Sequence, residues 1–186
     1  MIRVAAFLVA LAAAPVWPAP PNPMELTRKA GLTPETHEFV FLHVHSHLDI
    51  FVGGKKVVVP AGIGIDIHNP AVHKFEAPDG TTGYGGIRPS CKKPCISPLH
   101  THFDDGILHT EAKKNEFNRL GQFFKEWDVR LSPKCVAKYC KPAKKIAVYV
   151  DGKKITGDPR AIQLKDKREI AIVVGKPPDK IPSKFP

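Results

Sequence analysis

The sequence predicts a mainly β domain of the α+β kind, built from antiparallel strands and hairpins with one short amphipathic helix. Three observations predict it. Residues 38–52 alternate in hydrophobicity with the period of two that a strand requires. Ile50 to Val57 and Val148 to Ile155 share one strand–turn–strand plan around Gly53-Gly54 and Asp151-Gly152, dipeptides that favour two-residue hairpin loops. Phe117, Leu120, Phe124 and Trp127 fall on a single helical stripe.

Residues 1–19 read as a secretory signal peptide: Met1-Ile2-Arg3 supplies the positive start and Val4 to Val16 the apolar body. That run is shorter than the ~20 residues that span a bilayer. Cleavage is expected near Ala14 or Ala19, with an uncleaved anchor as the alternative. No other segment is apolar enough to cross a membrane, so an exported chain without a transmembrane helix in its mature form is expected. Residues 20–37 are Pro-rich and polar, a linker or arm. Residues 38–175 read as a single β-rich domain, with repeat-like hairpins at 48–65 and 146–164. A Pro-x-x-Ile follows in both, at Pro60 to Ile63 and Pro159 to Ile162, as a duplicated hairpin unit would give. Residues 76–98 form a long irregular loop, whose glycines match neither a P-loop nor a dinucleotide fingerprint. Ile170 to Val174 reads as a buried strand, and 176–186 as a Pro/Lys-rich tail.

At 186 residues the chain holds one compact domain or two small ones, which excludes multidomain machines and motor ATPases. Its net charge of +10 points first to an acidic partner. The cations, however, are 21 Lys against 7 Arg, scattered in doublets, whereas bidentate recognition of bases and phosphates favours Arg. The charge therefore reads as a soluble coat and argues against nucleic acid. One stretch, 134–145, has five Lys and no acid, and is the place where an acidic partner would dock.

Cys91, Cys95, Cys135 and Cys140 are even in number and lie in two close pairs, as two disulfides in an oxidising compartment would require. Three connectivities are open. The spacings C-x3-C and C-x4-C are looser than the C-x2-C of a zinc ribbon. Cys95, five residues before His100, is the thiol placed to serve as a ligand instead.

The specific signal is in the histidines. Six of nine sit in two short segments, His43-x-His45-x-His47 and Leu99 to Glu111. If Asp105-Gly106 is a two-residue turn, His102 faces His109 and His100 faces Glu111, and all four side chains share one side of a ribbon. Opposed side chains have Cβ atoms about 4.5–5.5 Å apart, so imidazoles there can meet at one ion with Zn–N near ~2.0–2.1 Å. A turn at Asp104-Asp105 would shift the register by one and break the convergence. His43, His45 and His47 share a strand face among Phe39, Phe41 and Phe51. Imidazoles in so apolar a setting need hydrogen-bond partners or a metal. Whether the two clusters serve one site is open. His37, His68 and His73 are isolated and read as structural.

The segments His-x-His-x-His-Leu-Asp-Ile-Phe (43–51), Val-Pro-Ala-Gly-Ile-Gly-Ile (59–65), Leu-His-Thr-His (99–102) after Cys95, Gly-Ile-Leu-His-Thr-Glu (106–111), Leu-Gly-Gln-Phe-Phe (120–124) and Gly-Asp-Pro-Arg (157–160) resemble a family of exported or membrane-anchored bacterial and archaeal proteins. The likeness runs in order from about 38 to 175. It implies export and the grouping of these histidines, and supplies no reaction. Family members often carry Asp after His-Thr-His, where this chain has Phe103. A carboxylate that orients a ligand imidazole would then have to come from Asp104 or Asp105.

Histidine-rich sites suit Zn, Cu(II), Fe and Ni, while thioethers select Cu(I). The only methionines, Met1 and Met24, lie outside the motifs. Zn or Cu(II) is therefore the expected ion, with Fe(II) kept open by Glu111. The expected ligands are His43, His45, His47, His100, His102, His109 and Glu111; Glu111, Asp104 and Asp105 are the carboxylates able to act as a general base. A closed site would bind or handle metal, and three ligands with an open position would make a metalloenzyme of hydrolytic or oxygen chemistry. The third reading is an extracellular interaction module with structural histidines.

Overall fold

The computed structural model describes Pro15 and residues 17–186. The expected leader, 1–19, lies outside the described residues apart from Pro15 and 17–19. The chain runs α1 (Pro23–Lys29), β1 (Leu42–Val52), β2 (Lys55–Val57), β3 (His73–Glu76), β4 (Thr82–Gly85), β5 (Leu99–His100), β6 (Ile107–Ala112), α2 (Leu120–Glu126), β7 (Cys135–Val136), β8 (Tyr139–Cys140), β9 (Ile146–Val150), β10 (Lys153–Lys154) and β11 (Arg168–Val174). Seven strands form one sheet, in the order β10-β9-β11-β1-β6-β5 with β2 also beside β1.

The fold is mainly β, and both hairpins form at the dipeptides that signal them. Val52 pairs Lys55 across Gly53-Gly54, and Val150 pairs Lys153 across Asp151-Gly152. All four turn residues have positive φ, between 50° and 85°, as a type I′ turn demands. The exception to the antiparallel rule in this sheet is its centre, where β1 runs parallel to β11 with Leu48 opposite Ile170.

Alternation along β1 gives the sheet two unlike faces. Leu48 and Ile50 point to one side with Ile170, Ile172 and Val174, and this face packs against Leu120, Phe123, Phe124 and Trp127 of the α2 region. The helix is shorter than the stripe suggests: Phe117 precedes it and Trp127 caps it. Residues 20–37, which read as a linker, hold α1, with Pro23 in its first turn, a position where the missing N–H costs nothing. Leu26 and Thr27 of α1 are buried. Trp17 is also buried, its ring tilted 5.7 Å from that of Trp127, whose Nε1 donates to the Trp17 carbonyl at 3.1 Å.

Two disulfides form, Cys91–Cys95 and Cys135–Cys140. The first closes a smaller core of Ile65, Ile87 and Ile96; the 76–98 segment, read as an irregular loop, also contains β4, which pairs antiparallel with β3. The second ties β7 to β8 among the lysines of 134–145. Cys95 is thereby removed as a thiolate ligand. Such bonds point to an oxidising, extracytoplasmic environment. Among the described residues no helix is long and apolar enough to cross a membrane.

Candidate metal centre

The second face of the sheet is lined with histidines and acids. β1 brings His43, His45, His47 and Asp49 to it, and β6 lies antiparallel alongside, with His43 opposite Glu111 and His45 opposite His109. β5 adds His100 opposite His109. One sheet face thus gathers both sequence clusters.

The β5–β6 register differs from the expected one. His100 pairs with His109 and Leu99 with Thr110, a slip of two residues, because Asp105-Gly106 is not a tight turn. The Asp105 carbonyl faces His47 Nε2 at 3.1 Å, and the Gly106 carbonyl accepts from Leu48 N at 2.9 Å, so both residues are engaged with β1 and the loop widens to 101–106. A slip of two restores the side-chain parity that a slip of one destroys. The convergence survives.

Four side chains, those of His100, His102, His109 and Glu111, place one ligand atom each within 4.8 Å of all the others. Glu111 Oε1 is 3.5 Å from His109 Nδ1, 3.7 Å from His100 Nε2 and 3.8 Å from His102 Nε2. The tautomers follow from backbone acceptors. A carbonyl only accepts, so His100 Nδ1–H donates to the Ser97 carbonyl at 2.9 Å and His102 Nδ1–H to the Tyr84 carbonyl at 2.6 Å. Both Nε2 atoms are then turned inward, 3.2 Å apart. Two neutral imidazoles so placed would aim lone pairs at each other, and only a shared proton or a cation relieves that. Two Zn–N bonds of ~2.0–2.1 Å at the tetrahedral angle set their nitrogens about 3.3 Å apart. His109 Nδ1 is buried without a hydrogen-bond partner, a loss that a metal ion would repair.

The electrostatics match this geometry. Burial, aided by the field of His102, pushes the His100 pKa well down, so the imidazole is neutral and able to ligate. Burial also lowers His109. At His102 burial acts in the same direction, but Glu111 and the Tyr84 carbonyl outweigh it and raise its pKa, making His102 the ring that carries the proton when no ion is bound. Burial alone would raise the Glu111 carboxyl; the facing His102 and His109 rings, with the fields of His100 and His43, hold it well below the carboxylate range.

Gly85 makes room for this arrangement. Its φ is +151°, and a Cβ there would stand 2.6 Å from His102 Nδ1. Phe103 turns away from the cluster, its ring 5.2 Å from that of Phe75. The carboxylate that the resemblance places at 103 has no counterpart, since Ser97 and Tyr84 carbonyls orient the two rings instead. Asp104 borders a separate groove with Pro60 and Tyr84. Neither Asp104 nor Asp105 contributes a ligand atom to the metal-capable groups among the described residues.

His47 belongs elsewhere on the face. Its Nδ1 is 2.6 Å from Glu169 Oε2 and its Nε2 3.1 Å from the Asp105 carbonyl. With Asp49 and Glu169 it forms a buried set also able to hold a metal. Here, though, both imidazole nitrogens face acceptors, which calls for the imidazolium; burial opposes that charge, and Glu169 and Asp49 outweigh burial and raise its pKa. The Lys56 ammonium faces Asp49 Oδ1 at 2.6 Å, close but off the hydrogen-bond direction. Burial also pushes the Glu169 carboxyl up and His47 offsets that only in part, so His47 and Glu169 hold one proton between them beside the Asp49–Lys56 pair. Glu169 lies 122 positions from His47 in the chain, and no local spacing signals it; Asp49 was visible on the odd face of the strand beside His47.

Fold and site together define a mainly β, disulfide-bonded protein with His/Glu/Asp clusters able to hold a metal. Comparison with known proteins goes no further: no family model, no curated protein and no solved structure matches the chain. The resemblance to the exported family rests on its motifs alone.

Proposed function

We propose that the protein is exported and binds a divalent transition metal, Zn or Cu(II), in metal binding or handling, through His100, His102, His109 and Glu111. The observation that carries this is the pair of inward Nε2 atoms 3.2 Å apart, each fixed by a backbone carbonyl behind its ring. Four protein donors close a tetrahedral ion, and closure favours holding metal over catalysis. Export is supported by the leader-like start and by the two disulfides. Trp17, packed on Trp127, favours cleavage near Ala14 over Ala19, because the later cut would remove it.

One observation favours an enzyme as the second reading. A groove of about 600 Å³ is lined by Glu111, the one member of the cluster that reaches it, together with Glu35, Phe39 and Lys113. Absorption spectra of the protein loaded with one equivalent of Co(II) test both readings. We expect intense tetrahedral bands that azide leaves unchanged. Azide-induced shifts would favour the enzyme, and octahedral-type weak bands, or none, would count against the four-donor site.

A further inference from the structure

We infer that the histidine face holds two ions side by side: the inner one of the proposed function, on which this inference rests, and an outer one bound by His43 and His45, with the Glu111 carboxylate shared between the two. Six donors, five imidazoles and a carboxylate, crowd one patch. They do not form one coordination sphere. Ligand atoms on a single ion lie at most twice the bond length apart, about 4.2 Å for Zn–N. His43 and His45 make a set with His109, whereas His100 and His102 make theirs with His109 and Glu111. The sets overlap at His109, and Glu111 joins them through its Oε1, 3.2 Å from His43 Nε2.

Ring contacts describe the same chain of neighbours. The His109 ring lies 4.3 Å from His102, 4.4 Å from His45 and 5.9 Å from His43, so it stands between the two sets. A carboxylate has about four lone-pair sites on two oxygens, enough to touch both ions, and paired metal sites place their ions ≈ 3.5–4 Å apart. Two nearby dications repel each other, and a shared anion between them reduces that repulsion. Glu111, with Oε1 3.2 Å from His43 Nε2 and 3.5 Å from His109 Nδ1, is placed to be that anion.

The two positions differ in access. His100 is fully buried, while the side chain of His43 is 39% exposed. The outer ion would face solvent with fewer protein donors and retain water. It would exchange faster than the inner ion, giving a loading position above a retention position.

Metal-free protein titrated with Cu(II), with bound metal counted by elemental analysis and paramagnetic copper by electron paramagnetic resonance, tests this. The expected results are two equivalents in the wild type, with the resonance of the second-ion form reduced by coupling, and one equivalent with a full, uncoupled signal in H43A/H45A. A single equivalent in the wild type overturns the outer ion and leaves the inner one standing. Two equivalents in H43A/H45A also overturn it, placing the second ion elsewhere, such as at His47, Asp49 and Glu169. Zero equivalents in the wild type, or loading unaffected in H100A/H102A, overturns the underlying metal reading itself. Far-ultraviolet circular dichroism of each variant excludes loss of fold as the cause.

Discussion

Glu111 and Glu126 are both buried glutamates, one on the histidine face of the sheet and one on the helix that packs the apolar face. They differ in what surrounds them. Four imidazoles stand within 3.2–3.8 Å of Glu111 Oε1, and the carboxyl is held ionised. Glu126 has both oxygens buried without a hydrogen-bond partner; burial pushes its pKa up to about 8, and the neighbouring Ser97 and Thr27 pull it back only in part. Residue type and burial are the same, and the chemistry is opposite. A buried carboxylate becomes a ligand where the fold supplies cations or lone pairs that want one, and becomes a neutral acid where it does not.

The largest expected effect separates the two faces outright. E111Q removes a donor from the metal cluster and should weaken metal affinity by more than about 100-fold, because even partners outside the coordination sphere are worth 10–100-fold. E126Q should leave the metal content unchanged. Competition with a chromophoric chelator measures both; equal effects would erase the contrast.

Next in size is the balanced set beside the metal cluster. H47A strands Glu169 as a buried carboxylate without its cation, and breaking a buried pair in this way costs about 3–5 kcal/mol. Urea unfolding should show that loss with no change in metal per chain. Reduced metal with unchanged stability would instead make His47 a ligand.

The pH dependence of stability isolates Glu126. Its folded pKa, about 8, lies above the unfolded value near 4.5. The stability linked to its proton is therefore fully present below pH ~4.5 and is lost as pH rises through about 8. E126Q should flatten that fall, gaining about 4 kcal/mol on the wild type at pH 8 relative to pH 4.5. The histidine face titrates in both proteins, so its contribution cancels in the difference between them. Parallel curves for the two proteins would mean that Glu126 is not the acid responsible.

The smallest effect concerns orientation. G85A should weaken metal affinity about 10-fold or more by pressing on the His102 ring, in the range of outer-shell changes. A substitution on the apolar side, such as V148A, should not alter affinity.

The local parts of this architecture were legible in the sequence. Gly53-Gly54 and Asp151-Gly152 signal turns that form, and the Leu120–Trp127 stripe signals the helix over the core. Alternation along 43–49 signals which face carries the imidazoles. The pairings between distant segments were not legible. Nothing near His47 announces Glu169, because a parallel pairing leaves no turn between its strands. Nothing in 99–111 reveals that Gly106 is drawn to Leu48 instead of forming a hairpin. The residues that lock the ligand tautomers were invisible for another reason: Ser97 and Tyr84 act through backbone carbonyls, which every residue possesses. α1 was hidden because Pro23, a breaker within a helix, is favourable at its start.

The most direct test is the metal content of the untagged protein, purified without chelator, measured by elemental analysis beside H100A/H102A. The account predicts at least one equivalent of a divalent transition metal per chain in the wild type and its loss in the double variant. A metal-free wild type, or equal metal in the two proteins, would contradict it.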